Sequence, residues 1–311
     1  MMKSLLSTTC ALLFSAALPA QADCNLVRLA EPGWTDLALT SAITQVLIEG
    51  MGHKTESKIL GIPVIYESMK RKDLDVFMGY WDPAMETYFN AYRDSGEIET
   101  IHTNLEGAKF TWAVPSYVYD AGVHSFADLA KHAGKFDEKV YGIEPGSNDI
   151  MLDIVAKNEF GLGDWKVVES SEQGMLSQVE REIKRKKWIA FLGWAPHPMN
   201  TAFDLKYLEG GDAYYGPNFG GATVHTQVRK GYQKECPQVG KLLDQLTFTV
   251  SMESEGMGYI LDDKMSAMDA ARKVIANHPD MLDTWLEGIS TTDGSPALAA
   301  VNADLGLAPK P

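Results

Sequence analysis

The chain has 311 residues, 45% hydrophobic and 23% charged, with Lys+Arg 28 against Asp+Glu 42 and a net charge of −14. At about 100–200 residues per domain, that length fits two domains with ample core, and the apolar content excludes a disordered chain. So acidic a surface repels phosphate backbones, which sets nucleic acid aside as a partner and suits cations better.

In chain order the first residues read as an address. Lys3 gives a short positive start, Leu5 to Leu18 an uncharged apolar stretch, and Ala20-Gln21-Ala22 a small-x-small cleavage site before Asp23. The stretch is shorter than the roughly 20 apolar residues that span a bilayer. Cys10 lies in its middle rather than at its end, where a lipoprotein would need it. The expectation is export to the periplasm with cleavage after Ala22. The cleaved chain keeps Cys24 and Cys236, an even number in an oxidising compartment, which suggests one disulfide; two free buried thiols are the alternative.

Strand and helix signals then alternate. Val27 to Ala30 reads as a strand and Glu31-Pro32-Gly33 as a turn, with Asp36 a suitable N-cap for the next helix. Leu39, Ala42, Ile43, Val46 and Leu47 recur at helical spacing until Gly50 and Gly52. Pro63 opens a second helix, and Leu74 to Tyr80 form a strand that ends in Gly79-Tyr80-Trp81-Asp82-Pro83. Lys139 to Ile143 is a strand running into Glu144-Pro145-Gly146-Ser147-Asn148-Asp149. Ser170 with Gln173 has the form of a capping box. Trp188 to Leu192 is a strand ending in Gly193-Trp194-Ala195-Pro196-His197, and helical patterns fill the last third. The class is α/β.

Three strands thus end in a glycine followed within two residues by tryptophan: Gly33-Trp34, Gly79…Trp81 and Gly193-Trp194. One such tryptophan would ordinarily be core. Three at equivalent strand ends point to a shared cleft, because ligands of open α/β sheets bind outside the carboxyl ends of strands. Trp112, Trp165, Trp188 and Trp285 lack that context and read as packing. Several indole faces around one cavity suit a cation clad in methyl groups, which carboxylates solvate poorly compared with π faces. Each ring is worth roughly 0.5–2 kcal/mol, against the roughly 8 kcal/mol of micromolar binding. A carboxylate would therefore help, and Asp36 is the nearest.

Enzymatic signatures are missing. No G-x-S-x-G, G-x-x-x-x-G-K-S/T or H-E-x-x-H occurs. The seven histidines, His197 included, are scattered without ligand spacing. No catalytic residue, metal ligand or cofactor is expected. The basic run Lys184 to Lys187 reads as a solvated helix end.

At these residues the sequence resembles the periplasmic substrate-binding proteins of ABC importers for quaternary amines, closest to the choline-binding type. The resemblance rests on Gly33-Trp34-Thr35-Asp36, Tyr80-Trp81-Asp82-Pro83, Gly107-Ala108-Lys109-Phe110, Gly142 to Gly146, Glu169 to Leu176, Phe191 to Trp194 and Gly220 to Thr226. It runs from residue 24 to about residue 305. It implies a two-lobed periplasmic binding protein of type II, each lobe a sheet flanked by helices, joined by a two-segment hinge. Residues 23–110 and 212–311 would form a discontinuous first lobe holding both cysteines, and 111–211 the second. Carried over by motif, Trp34, Trp81, Phe110 and Trp194 would box the ligand, and Asp36 would balance the cation or accept from a hydroxyl. Phe110 stands where the choline binders carry tyrosine. Ser147 stands where they carry asparagine, so Asn148, one residue later, is carried over as a site residue. The implied protein is a monomer that captures a quaternary amine, choline first and carnitine or glycine betaine as alternatives, and delivers it to a membrane permease. An exported enzyme acting on such amines is the reading from a different class.

Overall fold

The computed structural model describes residues 24–307; the expected leader, residues 1–22, lies outside them. Nine strands form one mixed sheet in the order β2-β1-β3-β9-β4-β7-β5-β6, with β8 beside β4. They are β1 (Leu26–Glu31), β2 (Lys54–Ile59), β3 (Val76–Asp82), β4 (Ile98–Pro115), β5 (Lys139–Tyr141), β6 (Lys166–Val168), β7 (Ala190–Ala195), β8 (Leu205–Tyr207) and β9 (Gly221–Arg229). β1, β2 and β3 are mutually parallel on one side, and β5, β6 and β7 on the other.

β4 joins the two halves. It runs antiparallel to β9 from Ile98 to Lys109 and to β7 from Lys109 to Ala113, so Lys109 faces both Gly221 and Ala195. β8 continues the β9 edge over Ala113–Pro115. Gly220, at φ +69°, immediately precedes β9 and passes so close to β4 that a Cβ there would lie 2.1 Å from the Phe110 carbonyl oxygen.

The helices follow from apolar spacing. α1 (Thr35–Gly50) buries Leu37, Leu39, Ala42, Ile43, Val46, Leu47 and Ile48 against the helices Val250–Leu261 and Ala267–Asn277. α2 (Ile62–Lys70) carries Pro63 in its first turn. Trp112 and Trp285 are wholly buried, with their indole N–H groups donated to the Tyr215 hydroxyl and the Thr247 carbonyl. Trp165 packs on Phe136, and half-buried Trp188 takes the Lys135 ammonium over its ring. All four are packing residues.

Three local expectations shift. Asp36 is not the N-cap of α1: Trp34 is, and Asp36 sits in the first turn, where the helix dipole favours a carboxylate. The cap of Glu172–Lys184 is Ser171, whose hydroxyl accepts from Gly174 N–H, while Ser170 donates to the Ser171 carbonyl. β5 stops at Tyr141 because the Asn148 side chain takes both backbone groups of Ile143, accepting from its N–H and donating to its C=O at 2.8 Å each.

The Cys24–Cys236 disulfide is present, with Cα atoms 5.6 Å apart and a sequence separation of 212. Closing so long a loop restricts the unfolded chain, typically by about 2–4 kcal/mol. The paired substitution Cys24→Ser and Cys236→Ser is expected to lower the melting temperature by roughly 5–10 °C, read by differential scanning calorimetry.

Candidate functional site

Because β1 and β3 run parallel, as do β5, β6 and β7, the loops that leave their carboxyl ends converge on one cleft. After β1 come Trp34 and Asp36, at the end of β3 Trp81, and at the end of β7 Trp194. Phe110 lies on β4 one residue beyond its change of partners. These five side chains line a single cavity with Ser147, Asp149, Tyr88 and an apolar wall that includes Ile62, Met85, Ile143 and Ile150. Gly33, at φ +94°, turns β1 into α1, and its N–H is held by the Glu31 carboxylate.

The rings are fixed from behind. Trp81 and Phe110 have centroids 6.0 Å apart at 50°. Phe110 leans on Tyr215 at 6.0 Å, whose hydroxyl is occupied by Trp112. Trp194 meets the His197 ring edge to face at 4.9 Å. Met199 N–H donates to His197 Nδ1, so Nε2 carries the proton of the neutral ring and faces Glu172 at 3.4 Å. His197 is a buried structural group.

Asn148 does not reach the cavity. Its amide is consumed by Ile143, the Glu144 carbonyl and Glu169, which shapes the loop that carries Ser147 and Asp149. The Pro-Gly loop thus presents Ser147, not Asn148. Sequence reading passed over Glu144, Glu172 and Glu253 as individuals. Glu144 accepts from Trp34 Nε1 and, at 2.8 Å, from Ser147 Oγ. Glu172 accepts from Thr35 N–H at 3.0 Å and from Thr35 Oγ1. Their only outward sign was membership of two quoted motifs, and Glu253 gave none, being buried by helix packing far along the chain.

The electrostatics are one-sided. Among the described residues, no Lys, Arg or His lines the cavity. Asp36 is 2% exposed. Burial, then the Glu172 charge, push its pKa up to about 7, which the Leu37 amide and the Trp81 indole dipole offset only in part. Burial likewise raises Glu253, with Asp36 adding to it, and raises Glu31 and Glu144. Neither Asp36 Oδ1 nor Trp81 Nε1 has a hydrogen-bond partner. Among the described residues, no group of His, Cys, Asp and Glu is arranged to hold a metal ion, and no helix is long and apolar enough to cross a membrane. The site offers π faces, carboxylate and no counter-ion, which is a receptor for an organic cation.

Residues 25–277 match the family model for the substrate-binding domain of the ABC-type glycine betaine transport system. The chain belongs to this family. It is the substrate-binding component of an ABC transporter. Among solved structures it resembles an ABC-transporter choline-binding protein in complex with choline (48% identity, 91% of this chain, 99% of that one) with a TM-score of 0.90. Against that type of protein in an unliganded semi-closed conformation, at the same identity and coverage, the TM-score is 0.84. A glycine betaine/carnitine transport binding protein of Listeria monocytogenes is 33% identical over 170 residues, 54% of this chain and 55% of that one.

Raised carboxyl pKa values set the sign of the pH dependence. Between 3.8 and about 7 the folded protein holds a proton on Asp36 that the unfolded chain has lost, so stability falls as pH rises through that interval. Chemical denaturation of the ligand-free protein should show this decline, and Asp36→Asn should flatten it.

Proposed function

We propose that this chain captures choline outside the cytoplasmic membrane for delivery to its permease, with Trp34, Trp81, Phe110 and Trp194 around the trimethylammonium group and Asp36 as its counter-charge. The observation that carries the reading is an aromatic cavity whose only charged lining groups, among the described residues, are carboxylates. A quaternary ammonium cannot donate hydrogen bonds, so several desolvated π faces serve it better than acceptors would. Four rings at roughly 0.5–2 kcal/mol each approach micromolar affinity, and the Asp36 charge adds to them.

The far end of the cavity selects the tail. Ser147 spends its proton on Glu144, so its oxygen faces the ligand as an acceptor. Asp149 is an acceptor as well, and it draws the Tyr88 hydroxyl toward itself. Acceptors welcome a hydroxyl donor. A carboxylate tail, as in glycine betaine or carnitine, would meet Asp149 with no cation to offset it. Phe110 has no hydroxyl to contribute, which leaves tail recognition to these groups.

Several features frame this reading. The exchange of β4 partners at Lys109 supports lobes of residues 23–110 with 212–311, and of 111–211. The leader, cleaved after Ala22, directs the chain to the periplasm, where it works as a monomer. The similarity to substrate-binding proteins of transporters supports binding without turnover.

Calorimetry tests the assignment. Choline should bind at least tenfold tighter than glycine betaine or carnitine. The uncharged isostere 3,3-dimethylbutan-1-ol should bind far more weakly; equal binding of choline and this isostere would overturn the cation reading. Trp81→Ala should weaken choline binding by about tenfold.

Ionised Asp36 pairs with the cation, so choline affinity should rise with pH up to about 7 and level off above it. Titrations at several pH values check this, with Asp36→Asn weaker and flat throughout.

A further inference from the structure

Two carboxylates of the β5–β7 half cross the cleft to consecutive residues of the other half, and neither contact is needed to build either half alone. Glu144, after β5, accepts the Trp34 indole N–H. Glu172, at the start of its helix, accepts both the backbone N–H and the hydroxyl of Thr35. Glu172 is fully buried and receives a third approach from His197 Nε2 at 3.4 Å. The gripped dipeptide, Trp34-Thr35, carries the first ring of the box and directly precedes Asp36.

We propose that Glu144 and Glu172 are positioning residues that form a latch on Trp34-Thr35, so that closure of the two halves fixes the box wall it closes against. The inference rests on the choline reading above but concerns residues outside the cation's reach. Glu144 ties the two ends of the site together. Its Oε1 holds the Trp34 ring edge-on, leaving the face free, and the same oxygen takes the Ser147 proton, which makes Ser147 an acceptor for the tail. Glu172 anchors the backbone one residue on and so sets where α1 begins and where Asp36 points. A ligand that holds the halves together thereby tightens the ring and carboxylate that hold the ligand, and the latch acts on escape rather than on entry.

Thr35→Val tests this with little change of shape. It removes the hydroxyl donor to Glu172 and keeps the backbone one. Choline dissociation, followed by stopped-flow tryptophan fluorescence, should accelerate about ten- to a hundredfold, with the association rate within about twofold of the parent. The melting temperature without choline should stay within about 2 °C, while the shift induced by choline shrinks. Glu144→Gln should give the same kinetic split. The combination of Thr35→Val with Glu172→Gln should be no worse than the more damaging single change, because both break one contact. Unchanged dissociation, additive losses, or a ligand-free melting temperature that drops as far as the liganded one would each overturn the latch. Failure of the parent protein to bind choline would strike the ligand assignment instead. The latch is then judged by the distance between spin labels on the two halves, in the parent and Thr35→Val, with whichever trimethylammonium compound binds; identical distance distributions would overturn it.

Discussion

The constraint on which this structure depends is the burial of negative charge without an internal partner. Asp36 and Glu253 lie inside the protein with no cationic side chain against them, and Glu31, Glu144 and Glu172 lie within range. Elsewhere the protein does neutralise its buried acids: Asp75 takes both Arg28 and Arg229, the latter at 2.7 Å. The contrast is local to the cleft. Taking a carboxylate out of water is costly unless something positive answers it, and here protons or a guest must do so. The rings supply the part of that answer suited to methyl groups, and the carboxylates supply the charge. This also explains why the site can be small: a permanent cation needs surrounding faces, not a network of donors.

Much of this was legible in the sequence because strand-end geometry repeats. Gly33-Trp34, Gly79…Trp81 and Gly193-Trp194 each mark a chain leaving a strand; parallel β1 and β3 send their exits to the same side, and β7, antiparallel to them in the other half, sends its exit to the same cavity. Trp112, Trp165, Trp188 and Trp285, which lack a preceding strand-end glycine, pack elsewhere. The alternation of strands and helices likewise follows from apolar spacing. Cap positions were less legible. Ser170 and Ser171 have the same chemistry one residue apart, and only the direction of each hydroxyl separates them. Asp36 has the composition of an N-cap but takes its place in the first turn.

What sequence spacing could not convey was pairing across the cleft. Glu172 lies 137 residues from Thr35 and Glu144 lies 110 from Trp34, and no local pattern links such positions. Asn148 illustrates the reverse. Its chemistry fits a ligand contact, yet it is absorbed by the backbone at Ile143 and Glu144, and a Cβ at Gly142 would lie 2.2 Å from its Oδ1. Gly142 and Asn148 are therefore one packing unit, and the half-buried Ser147 beside them inherits the view into the cavity.

The shared strand β4 has a mechanical meaning. Two halves hung on a flexible tether would meet in many orientations and would have to search for the one in which rings from separate strands agree. Here Lys109 is paired with β9 and β7 at once, so any relative motion of the two sides of the sheet has to work through the backbone of that ladder. Such a joint leaves little slack. Each return brings the jaws back into the same alignment, and the precision of the grip is inherited from hydrogen-bond register rather than found anew with every guest.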